Sequence, residues 1–385
     1  MRIEEIRIYQ VKLPFKGLFP ISRLEGRSSE HVVVEVIAAQ PKGNGYGESV
    51  PIKFVTGETP AGTVEDASHF VTFNAFPWQL EDVSQIWDFV DTLPGDMGHN
   101  AAVCAIELAL LDALGKDQNR PILAYFPKDF YTDRIHYGAS ITLGDEKRVR
   151  EICALVRSLE IRRLRIRIKM DKDLEQNRHA LETVRAEFGD ECELRIDPNG
   201  VWDRELAFKH MPLVREYGVK IVEEPMVRNS PGFDEFAETL RANNVILMAC
   251  ESAPTIEDIR RIVRDGHYRM VNVKLSRSGG FRRTCKIIDC LRESGLAFQI
   301  GCTLGEGGIL SAAGRVLCLL CKDAVTYDGS YDRFLLQENI TVEDVSFGPG
   351  GEAGPLGGPG LGVAVRSESL ERLADGNAPV TIMRP

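Results

Sequence analysis

A repeated alternation of short apolar runs and amphipathic helical segments, beginning near residue 136, constrains the fold more than any other feature. A crossover between parallel strands needs a helix, so repeated strand–helix units predict a parallel sheet. Eight such units predict an α/β fold closed into a (β/α)8 barrel. An open doubly wound sheet is the alternative. The eight predicted strand runs are His136–Leu143, Leu164–Met170, Glu193–Asp197, Val219–Glu223, Val245–Cys250, Met270–Leu275, Ala297–Cys302 and Ala324–Asp328.

The first 125 residues follow a different pattern. Ile3–Leu13 and His31–Ala38 are β-branched runs that predict strands, and Gly43–Gly47 reads as a turn. The segment from Pro60 to Tyr125 has helical periodicity, most clearly over Ala101–Gly115.

The tail is dense in glycine and proline over Phe347–Val363, which predicts a loop that returns toward the first domain. We therefore predict an α+β N-terminal domain over 1–125, the barrel over 126–340 and a C-terminal return over 341–385.

Composition narrows the class of protein. The net charge of −10 argues against a nucleic-acid partner, because binding to phosphates needs clustered lysine and arginine. The N-terminus lacks a basic region followed by an apolar run, and no stretch of about 18 apolar residues occurs. We expect a cytoplasmic protein without a membrane partner, in which the nine cysteines are free thiols.

Polar side chains end five successive predicted strands. Barrel enzymes place their catalytic groups at these carboxyl ends, which meet at one mouth. Lysines end the two outer strands of the five, and carboxylates end the three strands between them. These strand ends are Arg167-Ile168-Lys169, Asp197-Pro198-Asn199, Glu223-Glu224-Pro225, Cys250-Glu251-Ser252 and Lys274-Leu275-Ser276.

This pattern indicates a metal-assisted acid–base site. Three clustered carboxylates repel one another unless a cation lies among them, and ligands that are all oxygen favour Mg²⁺. The two lysines on either side of that cation are placed to act on two faces of one carbon atom.

The order of these motifs resembles the enolase superfamily, and more narrowly its muconate-lactonizing subgroup within the mandelate racemase/muconate lactonizing enzyme family. Lys274-Leu275-Ser276-Arg277-Ser278-Gly279-Gly280 is similar to that family's sixth-strand lysine and the turn after it. Outside the barrel, Gly45-Tyr46-Gly47-Glu48-Ser49 resembles its capping domain, and Gly358-Pro359-Gly360-Leu361-Gly362 resembles its C-terminal return. The resemblance covers nearly the whole chain and implies Mg²⁺, a carboxylate substrate and a homo-oligomer, either dimer or octamer.

Two positions depart from the family's pattern. Cys250-Glu251 stands where the subgroup has Asp-Glu, and a soft thiol is a poor Mg²⁺ ligand. We therefore predict Glu251 as the third ligand beside Asp197 and Glu223, with Cys250 as an uncertain neighbour of the metal. Arg167 replaces the first lysine of the second strand, where it would contact a carboxylate or lower the pKa of Lys169.

The resemblance implies that Lys169 and Lys274, assisted by Arg167, remove and return the proton next to a substrate carboxylate through an enediolate. The expected reaction is racemisation or epimerisation of an amino-acid derivative, such as an N-acyl amino acid or a dipeptide. A muconate-type cycloisomerase, an acid-sugar dehydratase and a non-catalytic ligand-binding barrel are the alternatives. Predicted substrate-binding residues are Asn199, Asp328, Cys302, Thr303, Glu306, Phe19 and Arg23.

Overall fold

The computed structural model describes residues 1–16, 28–39, 43–142, 146–161, 165–374 and 377–385. Within these ranges the strands are β1 (Ile3–Pro14), β2 (Ser28–Ala38), β3 (Gly45–Ser49), β4 (Ile135–His136), β5 (Ala139–Ile141), β6 (Arg165–Lys169), β7 (Glu193–Asp197), β8 (Ile221–Glu223), β9 (Ile246–Ala249), β10 (Met270–Lys274), β11 (Ala297–Gly301), β12 (Glu352–Ala353) and β13 (Val380–Met383). The helices are α1 (Lys53–Thr56), α2 (Pro60–Phe73), α3 (Val83–Thr92), α4 (Asn100–Asp117), α5 (Glu146–Ser158), α6 (Leu174–Phe188), α7 (Arg204–Glu216), α8 (Phe233–Ala242), α9 (Ile256–Asp265), α10 (Leu275–Ser278), α11 (Gly280–Glu293), α12 (Gly308–Leu319), α13 (Asp332–Leu335) and α14 (Ser367–Leu373).

The barrel is a parallel sheet in which β5 to β11 follow one another in chain order. The eighth predicted run closes it through one residue, because Tyr327 forms bridges to Ile300 on β11 and to Tyr137 beside β5. The Gly138 N–H also donates to the Tyr327 carbonyl at 2.9 Å. The predicted (β/α)8 barrel is confirmed, and the open sheet is wrong.

The first barrel strand is shorter than the predicted run. It divides into β4 and β5, and β4 pairs antiparallel with β12 from the tail instead of continuing the parallel sheet. Because β4 pairs with this antiparallel partner, only Ala139–Ile141 pairs with β6.

A second sheet joins both ends of the chain in the antiparallel order β13-β1-β2-β3. Ile6 of β1 pairs with Ile382 of β13. On its way there the glycine-rich tail passes α4, where the Leu361 N–H donates to the buried Asp112 carboxylate at 2.8 Å. These contacts follow the predicted C-terminal return, whereas the exact domain boundaries stay a prediction.

Helix α4 forms the centre of this N-terminal unit. It is the one helix in the described chain that is long and apolar enough to cross a membrane, and 83% of its apolar window is buried inside the protein. A helix that is apolar on every side is a core helix when protein surrounds it.

The predicted turn at Gly43–Gly47 is wrong, because Gly45 begins strand β3. The glycines serve close packing here. A Cβ on Gly45 would lie 2.3 Å from the Ala109 carbonyl, and one on Gly47 would lie 2.0 Å from the Ala105 carbonyl. Both carbonyls belong to α4, so the two glycines allow the strand to lie directly against the helix.

We expect Gly47→Ala to lower the free energy of unfolding by at least about 1–3 kcal/mol, because the added methyl group overlaps rigid helix backbone. Urea unfolding measures this change. Gly314→Ala in α12 is the matched control, since a Cβ there meets nothing within 4 Å and alanine in a helix stabilises by about 0.5–1 kcal/mol. Equal stability of the two variants would contradict this account of the packing.

Buried Glu107 connects α4 to the barrel. Its carboxylate accepts the backbone N–H groups of Phe281 and Arg282, the latter at 2.8 Å, at the start of α11. These donors have no partner within their own helix, so Glu107 caps the helix across the interface. Burial outweighs the two hydrogen bonds and raises the pKa of Glu107 to about 8.

The raised pKa of Glu107 predicts a pH dependence of stability. Between its ordinary pKa of 4.5 and about 8, the folded state holds a proton that the unfolded state has released. The contribution of Glu107 to the free energy of unfolding therefore falls as the pH rises through this window. Urea unfolding at about pH 5.5 and about pH 8 measures the decrease in the free energy of unfolding between these pH values. This decrease should be smaller for Glu107→Gln than for the wild type. Glu371→Gln, at an exposed position of α14, should show the same decrease in the free energy of unfolding as the wild type.

Candidate functional site

The carboxyl ends of β6 to β10 bring the predicted catalytic and metal-binding side chains to one mouth. Lys169 is the register partner of Asp197, and Lys274 is the register partner of Gly301 on β11. One cavity is lined by predicted residues from both outer strands and from the loops between them. Its lining includes Arg167, Lys169, Asn199, Glu251, Lys274, Cys302, Thr303 and Glu306.

Lys169 lies beside the first carboxylate of the mouth. Its Nζ donates to Asp197 Oδ2 at 2.8 Å and also to Asn199 Oδ1. The Arg167 Nη1 lies 3.2 Å from the same Asp197 oxygen, while its Nε donates to Ser140 Oγ at 2.9 Å. Arg167 thus contacts a protein carboxylate, whereas its role in the reaction stays a prediction.

Asn199 orients the turn after β7. It has a positive φ of 52°, a conformation that asparagine tolerates better than most residues. In this turn its N–H donates to Asp197 Oδ1 at 2.9 Å, and its Nδ2 donates to Glu251 Oε1 at 3.0 Å. Asn199 therefore connects two of the predicted metal ligands.

Glu223 is fully buried and ends β8, the strand between β7 and β9. Its Oε1 accepts a hydrogen bond from Asn272 Nδ2 at 2.6 Å, and its Oε2 lies 3.4 Å from Arg195 Nε. Burial by itself would raise the pKa of Glu223, but Arg195, Arg167 and the two lysines hold it below its ordinary value.

The structure separates the roles of Cys250 and Glu251. Glu251 lines the cavity, whereas the thiol of Cys250 is completely buried and accepts from Arg277 Nη1 at 3.1 Å. Burial raises the pKa of the Cys250 thiol well above its ordinary range. A protonated thiol turned toward an arginine does not offer a metal the thiolate it would need, so the geometry favours Glu251 as the third ligand.

The three carboxylates fit a divalent cation in chemistry and in burial. Oxygens Glu223 Oε2 and Glu251 Oε2 are buried and accept no hydrogen bond from any described residue. Oxygen ligands of this kind suit Mg²⁺. In the described ranges, however, no three His, Cys, Asp or Glu side chains stand close enough to hold a metal as they are. Arg167, Arg195 and Lys169 neutralise the carboxylates instead, so binding a metal requires these contacts to rearrange.

Lys274 is buried at the end of β10, with 7% of its surface exposed. Burial lowers its pKa, but Cys250, Glu251 and Glu223 outweigh burial and raise it overall. A base must be neutral near pH 7. A nearby divalent cation is expected to lower the pKa of Lys274, and this lowering stays a prediction for the metal-loaded enzyme.

Glu306 provides a further carboxyl group in the lining of the cavity, and it follows the three predicted ligands in the chain. It lies in the loop after β11, where the Thr303 N–H donates to its Oε1. Burial raises the pKa of Glu306 to about 8. At neutral pH this group is largely protonated and can donate a hydrogen bond to an anionic oxygen.

Asp328 does not line the cavity with the other predicted substrate-binding residues. It is buried, and its Oδ2 accepts a hydrogen bond from Arg195 Nη2. A role in gripping a substrate would require Arg195 to release it. Phe19 and Arg23 lie outside the described residues.

Arg195 and Glu224 also shape the site, and neither is among the residues predicted for it. Arg195 precedes Asp197 by two residues, so the two-residue period of a strand places both side chains on the barrel's inner face. This spacing could have indicated that Arg195 lies beside the carboxylates of the site. Glu224 accepts the N–H groups of Cys250 at 2.7 Å and Ser252 at 3.2 Å, which fixes the backbone on both sides of Glu251. No sequence pattern pointed to this brace.

The chain is similar in sequence to a known family and to several characterised proteins. The profile of the family described as "Enolase C-terminal domain-like" matches residues 147–369. A hydrophobic dipeptide epimerase of Enterococcus faecalis is 26% identical over 97% of this chain and 98% of its own length. A chloromuconate cycloisomerase of Cupriavidus pinatubonensis is 25% identical over 94% of this chain and 96% of its own.

Two solved structures share the fold. The N-succinyl Arg/Lys racemase of Bacillus cereus superposes with a TM-score of 0.84 at 20% identity, covering all of both chains. The dipeptide epimerase of Cytophaga hutchinsonii, solved with Mg and the dipeptide D-Ala-L-Val, superposes with a TM-score of 0.82 at 21% identity, covering 99% of each chain.

Proposed function

Because this chain belongs to the enolase superfamily and is an isomerase of that superfamily, we propose that it racemises or epimerises an amino-acid derivative at the carbon next to a carboxylate. The observation that carries this proposal is the placement of Lys169 on β6 and Lys274 on β10, with the carboxylate-bearing ends of β7, β8 and the β9 loop between them. Both lysines line one cavity.

The carboxylates Asp197, Glu223 and Glu251 would hold Mg²⁺, which stabilises the two adjacent negative charges of an enediolate when it is bound. One lysine removes the α-proton and the other returns a proton to the opposite face. Glu306, protonated near neutral pH, donates a hydrogen bond to a developing oxyanion. Arg167 Nη1 contacts Asp197 Oδ2 at 3.2 Å, and this contact would have to rearrange when the metal binds.

Cycloisomerisation is the second candidate, because a chloromuconate cycloisomerase matches nearly the whole chain. That reaction needs only one acid–base group. Two buried or half-buried lysines facing the same cavity support the two-base reaction instead.

Proton exchange in D₂O tests the proposal. The purified protein with Mg²⁺ is incubated with dipeptides, N-acyl amino acids, proline derivatives, sugar acids and muconates, and the α-proton signal is followed by NMR. We expect deuterium at the α-carbon of an amino-acid derivative, with inversion of configuration. Exchange without inversion would contradict the two-base mechanism, and lactone formation from a muconate would favour the cycloisomerase.

The remaining properties are part of the same proposal. We expect a small-molecule carboxylate as the partner, a homo-oligomeric assembly and a cytoplasmic location. The structure contains the nine cysteines as free thiols.

A further inference from the structure

The loop between β11 and α12 lies against the N-terminal sheet where it borders the cavity. The residues of this loop that line the cavity are Thr303, Leu304, Gly305 and Glu306. A Cβ on Gly305, whose φ is 82°, would lie 2.7 Å from Ser29 Oγ and 2.9 Å from the Phe15 ring. Because no room remains for a side chain there, the loop and the sheet are in close contact.

Glu48 of β3 makes a second contact with this loop. Its buried carboxylate accepts the Gly307 N–H through Oε1 at 2.9 Å and the Leu310 N–H through Oε2 at 2.8 Å. Both donors lie at the start of α12, whose N-cap residue is a glycine without a side chain to accept them. Glu48 therefore caps α12 from the N-terminal unit and fixes the backbone that directly follows Glu306.

The donors around Glu48 and Glu306 indicate which of the two carboxyl groups is ionised. Besides its two N–H donors, Glu48 Oε1 lies 2.5 Å from His31 Nδ1, whereas Glu306 accepts the Thr303 N–H. Hydrogen bonds to a carboxylate stabilise its charged form, so Glu48 holds the negative charge. The Nε2 of His31 is buried and has no partner among the described residues, which favours a neutral ring that leaves this charge uncompensated.

The charge of Glu48 acts on Glu306 across the boundary between the two units. Burial raises the pKa of Glu306 most, the Thr303 N–H lowers it, and the charge of Glu48 raises it. Lys274 lowers this pKa by less than Glu48 raises it, and the net value is about 8. In the described chain, the other titratable groups that interact with Glu306 are buried thiols with raised pKa values, which are neutral near pH 7. They are Cys104 on α4, Cys302 in the loop itself and Cys318 on α12.

We propose that Glu48 is a positioning residue for Glu306: it holds the loop in place and keeps the Glu306 carboxyl in its neutral, hydrogen-bond-donating form. Two interacting buried carboxyl groups do not both ionise without a large cost, and the group with more donors takes the charge. A neutral Glu306 can donate to a substrate oxygen, and it adds no negative charge that would keep Lys274 protonated. This inference rests on the proposed function, because it concerns the role of Glu306 in the same cavity.

The titration of Glu306 tests the inference without substrate. Carbon-13 NMR follows the side-chain carboxyl groups of the full chain labelled at glutamate, and the Glu306 resonance is the one that is missing from Glu306→Gln. We expect it to titrate in the wild type near pH 8. Glu48→Gln keeps the shape of the side chain and removes its charge, so the pKa of Glu306 should fall by about 1 or more.

Glu107 is the internal control for this titration. It is also buried, caps α11 instead of α12, and has a raised pKa of about 8. Its resonance, identified with Glu107→Gln, should titrate at the same pH in the wild type and in Glu48→Gln. Glu48→Asp retains the charge, and it should keep the pKa of Glu306 closer to the wild-type value than Glu48→Gln does.

Three results would overturn the inference. They are a wild-type Glu306 that titrates near its ordinary pKa of 4.5, a Glu306 pKa that is unchanged in Glu48→Gln, and equal movement of the Glu107 resonance. The first result needs no Glu48 variant, so the inference stays testable if Glu48→Gln does not fold.

These results are independent of turnover, so they leave the isomerase proposal standing. Absence of α-proton exchange with every substrate would instead count against that proposal. With a substrate identified, kcat for exchange should begin to fall at a lower pH in Glu48→Gln than in the wild type, because Glu306 loses its proton earlier. An unchanged pH profile would overturn the role of Glu48 in the reaction.

Discussion

Replacing Lys169 with alanine is expected to lower kcat for α-proton exchange by about 10²–10⁴-fold, the contribution that a positioned general acid or base typically makes. Lys169 lines the cavity and is held 2.8 Å from Asp197 Oδ2, so the variant removes a proton carrier from an ordered position. NMR exchange in D₂O measures the loss, with Mg²⁺ and substrate at saturating concentrations.

Lys172→Ala is the matched control for Lys169→Ala. Lys172 is exposed in the loop that follows the same strand, and its loss should leave kcat unchanged. Lys274→Ala should abolish inversion of configuration, because the two lysines serve opposite faces of the α-carbon. Each variant is assayed with both stereoisomers of the substrate. Full activity of Lys169→Ala would sink the two-base mechanism.

Replacing Glu251 with alanine is expected to weaken divalent-metal binding by at least about 10–100-fold, since the loss of even an indirect partner of a metal ligand typically costs this much. Glu251 lines the cavity and offers a buried oxygen without a hydrogen-bond donor. Titration of the protein with Mn²⁺, followed by electron paramagnetic resonance, measures affinity without reference to activity.

Cys250→Ala is the control for the assignment of the third ligand. The Cys250 thiol faces Arg277 and Asn272 rather than the cavity, so metal affinity should change little. If Cys250→Ala weakened Mn²⁺ binding and Glu251→Ala did not, the assignment of the third ligand would be reversed. If the wild type and both variants bound no Mn²⁺, the non-catalytic barrel would become the better hypothesis.

The barrel was predictable because its signal is local and repeated. Each strand of a parallel barrel is buried on both faces and therefore reads as a short apolar run. Seven of the eight predicted runs overlap strands β5 to β11, and the eighth contributes the bridging residue Tyr327. The polar residues that end those runs were equally visible, since the fold places every strand's carboxyl end at one mouth.

Errors arose where distant packing decides the local structure. Gly45 and Gly47 look like turn residues by composition, but the close approach of α4 makes them part of a strand. The first barrel strand is interrupted because the tail supplies an antiparallel partner, β12, from more than 200 residues away. Both causes are contacts between residues far apart in the chain, so a pattern of neighbouring residues cannot predict them.

The sequence by itself determined the superfamily, the barrel and the ring of lysines and carboxylates, because hydrophobic period and residue order suffice for them. Only the tertiary structure decided that Glu251 rather than Cys250 lines the cavity. It also decided that Arg195 forms an ion pair with Asp328 and that Asp332 lines the cavity. Which side chains point toward one another depends on strand register, loop path and the competition of neighbouring charges. Those properties belong to pairs of residues far apart in the chain, so they exist only once the chain is folded.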